Sequence, residues 1–195
     1  GHDSGCEQMS NHGSRHLVLI NPRAQVSHRR LPLSLMFLAR GIPEGFTWEI
    51  IDGNMEPDAR EKALAAVERH VPNCVVAMTV MPGPQLRWAI PWLRKLKDRH
   101  PGVPVVWGGY FPTVHPDVVA RDPHVDVVVL GQGELTLAEL LPALCHGGVA
   151  QVAGIAGTVV HLDGEIVRGP TRAAQISSRL GTLDDDCVDT SRYAA

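Results

Sequence analysis

Val105-Val106-Trp107-Gly108-Gly109-Tyr110-Phe111-Pro112-Thr113 joins a run of apolar β-formers to two adjacent glycines. Such a run reads as a strand covered on both faces. Glycines at its carboxyl end leave bare backbone where open α/β sheets bind large, flat ligands. The same theme repeats along the chain. His16 to Asn21, Phe46 to Asp52, Cys74 to Thr79, Val103 to Trp107 and Val125 to Leu130 read as strands, several nearly continuous in Val, Ile, Leu or Ala. Leu31 to Arg40, Ala59 to His70, Pro84 to His100 and Thr113 to Arg121 carry helical spacing between them, and Glu134 to Cys145 follows the last strand. Breakers at Gly41-Ile42-Pro43, Val71-Pro72-Asn73 and His100-Pro101-Gly102 end helices before the next strand. Parallel strands need crossovers of one hand, so five βα units predict an α/β fold. It is a doubly wound, parallel five-stranded sheet, flavodoxin-like or Rossmann-like, with strand order 2-1-3-4-5.

Beyond this unit the pattern changes. Val159 to Arg168 places two short strand-like pieces around Asp163-Gly164, a hairpin signal, and predicts an appended β-hairpin. The expected organisation is a disordered tail or cloning remnant over residues 1–15, a ligand-binding domain over 16–150, and a hairpin with linker over 151–195. The stretch after Arg179, with Asp184-Asp185-Asp186, reads as that linker or as an extended arm.

The chain has 195 residues, 18 basic and 21 acidic, for a formal net charge of -3, which provides no broad field for nucleic acid or a membrane surface. No apolar run approaches the roughly 20 residues of a membrane span, and the first sixteen residues lack a secretory core, so a cytoplasmic location is expected. Cys6, Cys74, Cys145 and Cys187 stand 68, 71 and 42 positions apart, without zinc spacing, and read as reduced thiols.

Ligands of such a sheet lie beyond the carboxyl ends of its strands. Those ends are Asn21-Pro22-Arg23, Asp52-Gly53-Asn54, Thr79 to Gly83, Gly108-Gly109-Tyr110 and Gly131-Gln132-Gly133-Glu134. Asn21 to Val26 offers no G-x-G-x-x-G, so a nicotinamide dinucleotide is not expected. There is no P-loop and no G-x-S-x-G elbow. Thr79 also stands where a phosphorylated receiver would need aspartate.

From Thr79 to Glu134 the chain reads T-V-M-P-G-P-Q, then P-V-V-W-G-G-Y-F-P-T, then P-H-V-D-V-V-V-L-G-Q-G-E. This joint pattern resembles the amino-terminal cobalamin (vitamin B12)-binding domain of cobalamin-dependent radical S-adenosylmethionine enzymes. The likeness extends more weakly from Leu17 to Gly169 and to the tail near Tyr193. It implies that the nucleotide tail of the corrinoid enters beside the third to fifth strands while the ring lies across the rim. On that likeness Thr79 offers its hydroxyl to the tail, and Gly108 and Gly109 let it pass bare backbone. Gly131, Gly133 and Glu134 shape the last wall. Met81, Pro82, Tyr110, Phe111 and Pro112 touch the corrin, and Asn21 and Pro22 at the end of the first strand are expected to bind the cofactor as well.

Two departures follow. The Asp-x-His-x-x-Gly pattern of classical cobalamin domains is missing from Asn21 to His28, which implies base-off binding without a histidine on cobalt. His28 reads as a solvated loop residue, with reach to the cobalt from that loop as the alternative. The C-x-x-x-C-x-x-C motif for a [4Fe-4S] cluster is also missing, so the cluster and S-adenosylmethionine are expected only in a radical catalytic domain acting in cis or in trans. The resemblance thus implies a methyl carrier for a cobalamin-dependent radical methyltransferase. A standalone corrinoid-binding or sensory module, and a cofactor-free interaction domain, stay open on the residues alone.

Overall fold

The computed structural model describes residues 14–24, 30–173 and 188–193. Seven strands, β1 (Arg15–Asn21), β2 (Phe46–Asp52), β3 (Cys74–Thr79), β4 (Val105–Gly108), β5 (Val127–Val129), β6 (Thr158–Leu162) and β7 (Glu165–Arg168), form one sheet in the order β2-β1-β3-β4-β5-β6-β7. The helices are α1 (Leu33–Arg40), α2 (Ala59–His70), α3 (Pro84–Arg99), α4 (Tyr110–Val114), α5 (Pro116–Ala120), α6 (Glu134–Gly147) and α7 (Val149–Val152). Among the described residues no helix is long and apolar enough to cross a membrane.

β1 to β5 pair in parallel, as five βα units require. Successive residues of a strand face opposite layers, and both faces of β1 and β3 are buried. Val18, Ile20, Val76, Met78 and Trp107 pack with α2, α3 and α5. Leu17, Leu19, Val75, Ala77, Val106 and Val129 pack with α1 and α6. Each fully buried Leu, Ile or Val contributes about 1.5–3 kcal/mol. Trp88 and Trp92, one turn apart on α3, stack at 6.0 Å within the first layer.

Two expectations need correction. The expected hairpin is present, but it extends the sheet. β6 runs antiparallel to β5 and β7 to β6, so the sheet has seven strands rather than five. Three-residue β5 would otherwise present an open edge, and Leu130 N–H donates to Gly157 O at 2.8 Å to start this pairing. The helix expected over Thr113 to Arg121 begins earlier and is split at His115. Pro116 lacks an N–H and disfavours helical backbone in the residue before it. The tail after Arg179 lies mostly outside the described residues, but residues 190–193 form a 3-10 turn that packs back on the sheet.

Candidate functional site

The carboxyl rim of the sheet divides into a closed half and an open half. Over β1, β2 and β3 it is sealed by hydrogen bonds. Buried Asp52 accepts from Asn21 Nδ2 at 2.9 Å, the Asn54 N–H at 3.0 Å and the Tyr193 hydroxyl at 2.8 Å. Gln85, 4% exposed in the first turn of α3, donates through Nε2 to Asn21 Oδ1 and Pro22 O and accepts from the Met81 N–H. Arg23 donates to the carbonyls of Gly53 and Glu56. Burial and the hydrogen bond to Asp52 hold the Tyr193 hydroxyl well above its ordinary pKa.

Over β3, β4 and β5 the rim opens into a cleft of about 720 Å³ including its mouth. Its floor is the sheet at Ala77, Val106 and Val129, and its far wall is α1 with Ser34 and Leu38 and α6 with Glu134 and Leu137. The cleft exists because small side chains and glycines stand where the layer between sheet and helices would otherwise be filled. One carboxylate oxygen of Glu134, Oε2, is buried there with no hydrogen-bond partner among the described residues. An unpaired buried acceptor costs about 1–3 kcal/mol, more when charged, and that cost is recovered when a ligand donor meets it.

Of the residues singled out from sequence, Thr79, Gly108, Gly109, Gly131, Gly133 and Glu134 line this cleft together. Asn21 and Pro22 belong to the closed half, where their polar atoms are engaged. Met81 and Tyr110 stand exposed on the rim at 48% and 59%, beside exposed Pro82. Phe111 is partly buried against the core and Pro112 is buried in α4. His28 lies outside the described residues.

The glycines differ in what they leave open. Gly131 has φ +63° with nothing within 4 Å of an added Cβ, so bare backbone faces the mouth. A Cβ on Gly109, at φ +95°, would lie 2.7 Å from Thr79 Oγ1 and 3.0 Å from Val80 N. Gly109 is therefore required by the protein's own packing. Sequence reasoning missed Ser34, Leu38 and the floor residues, whose apolar spacing reads only as core. It also missed Gln85, Asp52 and Tyr193, which are far apart in the chain.

A doubly wound sheet with an apolar, glycine-lined cleft beyond its inner strands defines a cofactor-binding α/β domain. Residues 23–141 match the B12 binding domain family, and the chain belongs to it. It is 51% identical over 105 residues to 2-(S-pantetheinyl)-carbapenam-3-carboxylate methyltransferase of Streptantibioticus cattleyicolor, covering 51% of this chain and 15% of that protein. It is 29% identical over 163 residues to an uncharacterised methyltransferase of Pyrococcus horikoshii, covering 80% and 35% respectively. Among solved structures it superposes on the radical S-adenosylmethionine methyltransferase TsrM from Kitasatospora setae, with tryptophan and a SAM analogue bound. There the TM-score is 0.64 at 27% identity, over 80% of this chain and 30% of that one. The chain therefore spans about a third or less of the length of these relatives.

Proposed function

We propose that this domain holds cobalamin base-off, with no protein histidine on cobalt, as the methyl carrier of a radical S-adenosylmethionine methyltransferase. The observation that carries the reading is the open cleft over β3 to β5 in a chain of the B12 binding family. Its residues fit the cofactor's tail: an apolar floor suits a flat aromatic base, the Gly131 backbone is bare, and Glu134 Oε2 awaits a donor. Among the described residues that line the cleft, none is a histidine.

Bound cobalamin supplies a cobalt centre that takes up and passes on a methyl group. The chain's own part is to bind and orient. Ala77, Val106 and Leu137 exclude water from the cleft, and Thr79 and Glu134 place polar atoms on its walls. Glu134 Oε2 would accept a hydrogen bond from a donor group of the tail. Exposed Met81 and Tyr110 offer apolar contact to the ring on the rim. The seven-stranded unit, residues 15–168, holds the cofactor, and a catalytic module acting in cis or in trans carries the [4Fe-4S] cluster and S-adenosylmethionine. Methyl transfer is favoured because methyltransferases recur among the relatives, TsrM included.

The test is an absorbance spectrum after incubation with hydroxocobalamin and desalting. One retained equivalent with a base-off spectrum is expected, and no retained corrinoid overturns the reading. Cobinamide, which lacks the nucleotide tail, isolates the cleft. Glu134→Gln is expected to weaken cobalamin binding roughly tenfold, about 1.4 kcal/mol, and to leave cobinamide binding unchanged.

A further inference from the structure

At the other pole of the sheet, where the strands begin, three side chains with metal-ligating atoms converge. His16 stands near the start of β1, Glu49 lies in β2 and His70 ends α2. One ligand atom from each lies within 4.8 Å of the other two. His16 is 6% exposed, and its Nε2 lies 3.0 Å from Glu49 Oε1. Its other ring nitrogen, Nδ1, hydrogen-bonds the Thr47 hydroxyl at 2.7 Å, which fixes the ring with its Nε2 edge toward the carboxylate. The His70 ring stacks on it with centroids 3.6 Å apart. An imidazole oriented through its second nitrogen, beside a carboxylate and another imidazole, is how protein metal ligands are commonly held.

We propose that His16, Glu49 and His70 form a zinc-binding site, remote from the cleft and independent of what the cleft binds. Two imidazole nitrogens and one carboxylate oxygen suit Zn²⁺, with a fourth position for water. Tetrahedral bonds of about 2.0–2.2 Å set donors roughly 3.4 Å apart, and because stacked rings hold their lone pairs in parallel planes, the His70 ring turns out of its stack on His16 to close the site. Binding uses the neutral ring with its proton on Nδ1, which donates to Thr47 Oγ1 while that hydroxyl donates to Arg15 O, so the Nε2 lone pair is left for the metal. Binding also displaces Arg69, whose Nη2 now lies 3.0 and 3.3 Å from the two Glu49 oxygens. Arg69 is half-exposed and turns out into water at little cost.

The test titrates the full chain with Zn²⁺ against a fluorescent chelator, comparing wild type, His70→Gln and Arg69→Gln, with circular dichroism as the fold check. The remaining histidines and cysteines are common to all three proteins. His70→Gln is expected to weaken the site more than about tenfold, and Arg69→Gln to tighten it several-fold by removing the competing cation. Substituted Co²⁺ is expected to show tetrahedral visible bands in wild type that His70→Gln loses. Equal Zn²⁺ uptake by wild type and folded His70→Gln overturns the proposal. Should His70→Gln not fold, Arg69→Gln decides, and failure to tighten overturns it.

Discussion

Gly108 and Gly109 stand side by side and should respond to substitution differently. A Cβ on Gly109 meets Thr79 Oγ1 and Val80 N in a left-handed backbone, so Gly109→Ala is expected to cost about 1–3 kcal/mol in urea denaturation. At Gly108 the added Cβ only reaches Val129 at 3.7 Å, an ordinary contact. Gly108→Leu should therefore keep the fold while its side chain fills the cleft, and retention of hydroxocobalamin after desalting is expected to fall roughly tenfold or more. Cys74 offers a third test. Burial first, and the Glu49 charge second, push its thiol up to about 12. A raised thiol pKa contributes stability that is fully present below the unfolded value near 9 and lost as pH rises toward 12. In native protein at pH 8, a pulse of iodoacetamide read by mass spectrometry should leave Cys74 unlabelled, with labelling appearing on unfolding.

At the scale of elements, the 3-10 turn of residues 190–193 reaches across 141 positions to lay Tyr193 on Asp52. Tyr193→Phe leaves one oxygen of a buried carboxylate without its donor. The expected loss is about 1–2 kcal/mol, with faster amide hydrogen exchange in residues 190–193. The phenol pKa is raised above its usual 10.0, so this contact contributes below about pH 10 and is lost as pH rises further. Exchange at the turn should therefore accelerate in alkali in wild type and be insensitive to pH in Tyr193→Phe, after correction for intrinsic rates. The hairpin shows a different control. Asp163 at φ +51° and Gly164 at φ +86° make the two-residue turn that the sequence announces.

Over the whole molecule, the asymmetry of the rim organises function. Side-chain hydrogen bonds from Asn21, Gln85 and Tyr193 close one half, so the glycine-lined half is left for a ligand. A ligand that binds only the folded state stabilises it by about 2.7 kcal/mol at a free concentration 100 times its Kd. The melting temperature is thus expected to rise with hydroxocobalamin concentration in wild type and to stay flat in Gly108→Leu. A cleft on one pole and the His16–Glu49–His70 cluster on the other place two separate chemistries on one sheet.

Much of this was legible in the chain itself. Alternation of buried strands with helical spacing determined β1 to β5 and their order, because period and breakers are local properties. The Asp163-Gly164 turn was equally local, and the paired glycines marked the rim. Joining the hairpin to the sheet depended on the unpaired edge of β5, which exists only after the sheet is assembled. The floor of the cleft, the Gln85 stitch and the Tyr193 contact were decided by tertiary structure, because each brings together residues that no sequence period links. Gly109 shows the division most directly. Its place in the chain pointed to a ligand, while packing against Thr79 and Val80 supplies the reason that only glycine fits there.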